Sequence, residues 1–216
     1  MRQSRMLRRA FMSRFAAATA LFGVSPQAPS APPAPKQSAS PARHTEDEWL
    51  DQAPEKHRVV FDTWMADTFG LAVGFASNWA RINKEQYGLT DADLAIVIVA
   101  RHGTTPFAFN EAIWTKYGKI FAANMSANDK TAHPNPSTNI YAARLANLTK
   151  QDMRLAVCNL TLRAYTEIIA KEIGAEQDAI RKELTTNAIG DAHFVPAGIV
   201  AVTRAQEHGY ALVSIG

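Results

Sequence analysis

Apolar residues in this chain fall into two kinds of run, unbroken short blocks and longer stretches with a helical repeat. The block Leu94–Ala100, L-A-I-V-I-V-A, has no polar position. A central parallel strand, covered on both faces, reads this way. Shorter blocks lie at residues 58–61, ending near Asp62, at 155–157 and at 210–213, and a short strand and turn is expected over 191–198. Between the blocks apolar residues return every three or four positions, the mark of one buried helical face. This predicts helices over 66–87, 109–117, 140–148, from Cys158 through Ile169, 175–187 and 199–207. Gly70 and Gly74 weaken the first of these, and Gly118 is expected to end the second. Ile180 and Leu184 should face inward in the fifth. Strands alternating with helices predict an α/β fold with a mainly parallel sheet and helices on both faces.

The connections carry their own signals. Residues 46–50 are a short acidic lead-in with helical character, and 88–91 read as a turn. Residues 101–106, polar and containing Gly103, follow the strongest strand, and open α/β folds place ligand contacts at that end. Residues 124–139 form a polar loop with Pro134 and Pro136, long enough to be functional or mobile.

Charge divides the chain. Seven of the 23 Lys/Arg lie in residues 1–43, leaving 16 against all 20 acidic residues, a formal net of −4 for the remainder. A folded part that is mildly acidic has no basic face for phosphates, which argues against a nucleic-acid partner. The basic N-terminus contains Arg8-Arg9 ahead of the uncharged run 15–24. That run suits a signal-peptide core and is far short of the ~20 residues of a spanning helix. Residues 1–25 are therefore expected to be a bacterial twin-arginine-type export signal. Residues 26–54 read as a Pro/Ala/Ser-rich linker and acidic lead-in, and 55–216 as the domain. The expected compartment is the periplasm, with no membrane span after cleavage.

Cys158 is the only cysteine. It stands where a strand gives way to a helix, facing unpaired N–H groups and the positive end of a helix dipole. That setting favours thiolate. The competing reading is a small, inert core residue, the commonest fate of a free cysteine. His102 would share a sheet edge with Cys158 if the strands are parallel, and a histidine there could stabilise a thiolate. His193 is a second candidate for the same role. Arg101, Gly103 and Thr104 in the loop after the central strand, and Asn159 at the helix start, are candidate ligand contacts. Asn159 and Thr161 also read as helix-capping residues. No metal-ligand spacing, P-loop, paired carboxylates or G-x-G-x-x-G pattern is present, so neither metal nor organic cofactor is expected.

Four segments in order carry a family resemblance: I-V-A-R-H-G at 98–103, W-T-K-Y-G at 114–118, V-C-N-L-T-L at 157–162, and V-P-A-G-I-V-A-V-T-R-A-Q-E-H-G-Y-A-L at 195–212. Together they resemble the DsrE/DsrF-like sulfur-relay family, over roughly residues 56–214. The resemblance implies a flavodoxin-like three-layer fold and assembly into a homo-oligomer, a trimer or a hexamer. It also implies that Cys158 takes up sulfur as a persulfide from a small sulfur compound and passes it on, for instance to a sulfur-carrier protein. Such a protein is a carrier more than a turnover enzyme. The alternative function is an oligomeric protein that binds a small ligand or a partner without catalysis, its cysteine inert.

Overall fold

The computed structural model describes residues 41–51, 56–125, 136–151, 153–190 and 192–216. The expected export signal, residues 26–40 of the expected linker and residues 126–135 of the polar loop lie outside the described residues. The compact unit begins at Pro41, so the acidic lead-in folds with the domain. No helix among the described residues is long and apolar enough to cross a membrane.

Five parallel strands form one sheet: β1 (His57–Thr63), β2 (Leu94–Ala100), β3 (Met153–Cys158), β4 (His193–Val195) and β5 (Ala211–Ile215), in spatial order β4-β3-β2-β1-β5. Among the described residues six α-helices lie in the connections: α1 (Phe69–Tyr87), α2 (Glu111–Asn124), α3 (Ala142–Thr149), α4 (Asn159–Ile173), α5 (Gln177–Thr186) and α6 (Gly198–Glu207). This is the α/β architecture with a parallel sheet expected from the alternation of strands and helices, and it has the flavodoxin-like three-layer form that the resemblance implied. β2 lies at the centre, and all seven of its residues are buried.

Side chains alternate across the sheet because the strand repeat is two residues. Val59 and Phe61 of β1, Ile96, Ile98 and Ala100 of β2, and Leu155 and Val157 of β3 join one core. Helices α1 to α5 and the 3-10 segment His102–Ala108 supply most of the rest of that core, with Phe107, Trp114 and Phe121 among its fully buried aromatics. Val60, Val97, Val99, Ala156 and Val195 point to the other face. There the cover is α6, through Ala201, Val202 and Ala205, and the 3-10 helix Thr45–Leu50, through Trp49 and Leu50.

That 3-10 helix is a strap tied to the amino-terminal edge of the sheet. Arg58 at the start of β1 donates to the Leu50 and His208 carbonyls, each at 3.2 Å, and pairs with Asp51 at 2.8 Å. The Tyr210 hydroxyl donates to the Leu50 carbonyl at 2.9 Å, and His208 Nδ1 lies 2.7 Å from Asp51. Leu50 is completely buried.

α2 differs from expectation. It runs through Gly118 to Asn124 rather than ending there. Asn110 starts it by accepting from the Ile113 N–H at 3.3 Å. Gly118 is a place of close approach, where a Cβ would strike the Pro136 carbonyl. Glycines do end α1 and α4: Gly88 and Gly174 sit at their carboxyl caps with φ of 64° and 65°, the left-handed conformation that glycine adopts without steric cost.

Candidate functional site

Cys158 is the last residue of β3, and Asn159 is the first of α4. Its parity within the strand matches Ala156, so its side chain belongs to the face covered by α6. β4 pairs with β3 so that Val195 stands beside Cys158. The turn after Val195 then brings α6 back with its first residue, Gly198, at the same edge. Two helices therefore begin beside one sulfur atom.

Four groups able to donate lie around that sulfur. Burial alone pushes the Cys158 thiol up. The Thr161 hydroxyl and the backbone N–H groups of Gly198, Thr161 and Leu160 act against it, and the net shift is downward. Three donors come from the first turn of α4 and one from the first residue of α6. Each N–H would otherwise be unpaired at a helix start, and each lies at the positive end of a helix dipole. Donors that bond the charged form of an acid stabilise that form. The residue is 5% exposed.

His102 reaches the sulfur indirectly. Its backbone N–H donates to the Thr161 hydroxyl oxygen at 3.1 Å. With one lone pair engaged there, the Thr161 proton is left to donate to Cys158. His102 also has φ of 50°, rare for a residue other than glycine. Such strain, of about 1 kcal/mol, persists where neighbours hold the backbone on both sides. Here the Gly103 N–H is bonded to the Trp64 carbonyl at 3.1 Å. It is the main chain of His102 that bears on the sulfur, not its ring.

The other predicted residues are placed as follows. The Arg101 guanidinium grips Asp62 with two bonds, Nε to Oδ1 at 2.7 Å and Nη2 to Oδ2 at 3.0 Å, and lies 4.9 Å from the centre of the Trp64 ring. Its charge is thus already matched, and Asp62, which had no evident partner in the sequence, has one. Thr104 is fully buried, and its hydroxyl ties the Arg101 and Thr63 carbonyls, at 2.9 and 3.1 Å. That bonding shapes the loop and leaves Thr104 a structural role. The Asn159 amide oxygen accepts from Arg181 at 3.1 Å, so Asn159 links α4 to α5 instead of capping a helix. His193 pairs in register with Ala156, two residues before Cys158, and its ring stacks on Trp49 at 4.4 Å. His102 is bonded through its main chain to Thr161, and His193 is stacked on Trp49.

An open cleft of about 460 Å3 lies at the same edge, lined by Trp64, Met65, His102, Gly103, Thr161 and Tyr165 among others. Thr161 is shared: it lines the cleft, and its hydroxyl helps to hold the Cys158 thiol down. Sequence reasoning assigned Thr161 to capping and did not find Gly198. The signal for Gly198 was present as a glycine at the start of the last helix, but its meaning depended on which strand stands beside β3. Among the described residues there is no cluster of His, Cys, Asp and Glu that could hold a metal ion.

No family model matches the chain, and no curated protein does. A solved structure of a protein of unknown function from Methanobacterium thermoautotrophicum is similar over 73% of this chain and 98% of that one, with 18% identity and a TM-score of 0.42.

Proposed function

We propose that this protein carries sulfur on Cys158 as a persulfide. The observation that supports this reading is the placing of Cys158 at the sheet edge where two helices, α4 and α6, begin, with groups from both starts holding its thiol below the ordinary value. A thiolate held in this way is the nucleophile that the chemistry requires. It attacks the outer sulfur of a sulfane donor. The new S–S bond forms at Cys158, the donor's S–S bond breaks, and its electron pair leaves with the remainder of the donor, sulfite in the case of thiosulfate. An acceptor thiolate then attacks the outer sulfur and returns Cys158 to thiolate. No net oxidation occurs, and neither metal nor organic cofactor takes part.

Leu160, whose N–H is one of those groups, and Ile199, next to Gly198, have side chains that are 59% and 55% exposed. Apolar residues at that place would suit a docking acceptor protein. The trimer or hexamer implied by the family resemblance, and export to the periplasm, belong to the same proposal. Light scattering on the mature protein tests the first, and fusion of residues 1–43 to a reporter tests the second.

One observation favours another reading. With Cys158 only 5% exposed, the cysteine could be inert and the cleft beside Thr161 could bind a small ligand without covalent chemistry. The two readings part on intact mass. After incubation with thiosulfate or polysulfide, the carrier gains the mass of one sulfur atom, reductant removes it, and Cys158→Ser does not gain it. Unchanged mass in the wild type, with the thiol still free, eliminates the carrier.

A further inference from the structure

Gly198 and Arg101 are in unusually close contact. A Cβ built at Gly198 would lie 2.7 Å from the Arg101 Cβ, 3.0 Å from its Cδ and 3.3 Å from its Cγ. Those three carbons are the stem of a side chain whose far end is fixed: Asp62 grips the guanidinium with two bonds, and the Trp64 ring lies against it. The stem cannot swing aside without breaking that grip. Asp62 ends near the top of β1, Arg101 directly follows β2, and both share the parity of the α6 face with Cys158. Val195 stands beside Cys158 in the sheet, and Gly198, three residues on, begins α6 at the same edge; its N–H is among the groups that lower the Cys158 thiol.

We propose that Arg101 and Gly198 are a matched pair of positioning residues. The Arg101 stem is the wall, and only a residue without a side chain seats the start of α6 against it closely enough to place an N–H on Cys158. Asp62 and Trp64 hold the wall. This explains why so well-anchored an arginine lies beside the cysteine while its charge is spent on Asp62. It rests on the reading of Cys158 as a thiolate and adds what holds that thiolate's second helix in place.

The chain has one cysteine, so the ultraviolet absorbance of the thiolate, taken as a difference from Cys158→Ser, reports its titration without any reagent having to reach it. Gly198→Ala is expected to raise the midpoint by about one pH unit, which is about tenfold less thiolate at a pH below it. Removing Arg101 alone would leave Asp62 charged, so the wall is tested in a neutral background. Asp62→Asn with Arg101→Met keeps the stem and is expected to titrate as the wild type does. Asp62→Asn with Arg101→Ala lacks the stem and is expected to titrate higher, by less than Gly198→Ala. A lower melting temperature without a change of midpoint would be the mark of a merely structural role.

If the two double variants titrate alike, or Gly198→Ala titrates as the wild type, the positioning proposal is overturned while the thiolate reading stands. If the wild type itself titrates in the ordinary thiol range, about 8.5, both are overturned.

Discussion

The two faces of the sheet are built to different plans. One is thick: five helices, α1 to α5, cover it, and its core holds a cluster of packed aromatic rings. Phe107 stacks on Phe69 at 4.9 Å and on Trp114 at 5.3 Å, and Phe121 meets Trp114 and Tyr165 edge-on at 5.6 and 5.3 Å. The other face is thin, covered by the ten-residue α6 and the strap Thr45–Leu50. Its interior is mostly Val and Ala, and its edges are closed by ions. Arg58, Asp51 and His208 close the amino-terminal edge, and Arg101 and Asp62 the carboxyl-terminal one. Cys158 belongs to the thin face. The thick core yields stability, and its helix α4 reaches the sulfur only with its first turn, at the sheet edge. A single helix packed across small side chains brings its own N-terminus to the sheet edge, and that end is what a sulfur anion needs.

If the faces divide labour in this way, damage to each should be read by different measurements. The largest loss of stability is expected from Phe121→Ala on the thick face, about 3–5 kcal/mol. Chemical denaturation measures it, and the thiolate midpoint of the folded protein should not move. Leu50→Ala in the strap should cost less, about 2 kcal/mol, because a segment at the edge settles partly into the space it leaves. Thr161→Val is expected to cost only about 1 kcal/mol, one hydrogen bond's net worth, yet to raise the thiolate midpoint clearly. A Phe121→Ala variant with a shifted midpoint, or a Thr161→Val variant without one, would break the comparison.

The smallest effect concerns acid. Partial burial raises the Asp51 carboxyl, but bonds from Arg58 and His208 outweigh this and hold it below its ordinary value of about 3.8. A depressed carboxylate stabilises the fold fully above its unfolded pKa, and this stabilisation is lost as pH falls through the lower, folded one. The stability that Asp51's carboxylate contributes should therefore be present above about pH 5 and fade below about pH 4. Asp51→Asn should be less stable at neutral pH and should lose that part of the acid dependence. Thermal melts of the two proteins across this range compare them directly.

Much of the fold was legible along the chain because the signal is local. Leu94–Ala100 has no polar residue and proves to be the central strand, and the step from apolar run to helical repeat at Cys158 is where β3 meets α4. Gly118 misled because close packing and helix termination both select glycine, and a sequence does not say which operates. The surroundings of the sulfur were half legible. The first turn of α4 follows Cys158 directly, so its N–H groups could be anticipated. The Gly198 N–H, the Asp62–Arg101 pair and the link from His102 to Thr161 each join segments 39 or more residues apart. They depend on strand order and register, which periodicity does not encode. His102 and His193 looked equivalent as loop histidines. Register separates them, leaving one bonded to Thr161 and the other stacked on Trp49.

The central claim is that Cys158 is both ionised and reachable in the folded protein, and the pH profile of its alkylation by iodoacetamide, followed by intact mass, tests both parts together. The account predicts a single addition to the native protein, absent in Cys158→Ser, with a rate that stays half-maximal at a pH below the ordinary thiol range of about 8.5. Labelling that occurs only after denaturation would contradict it.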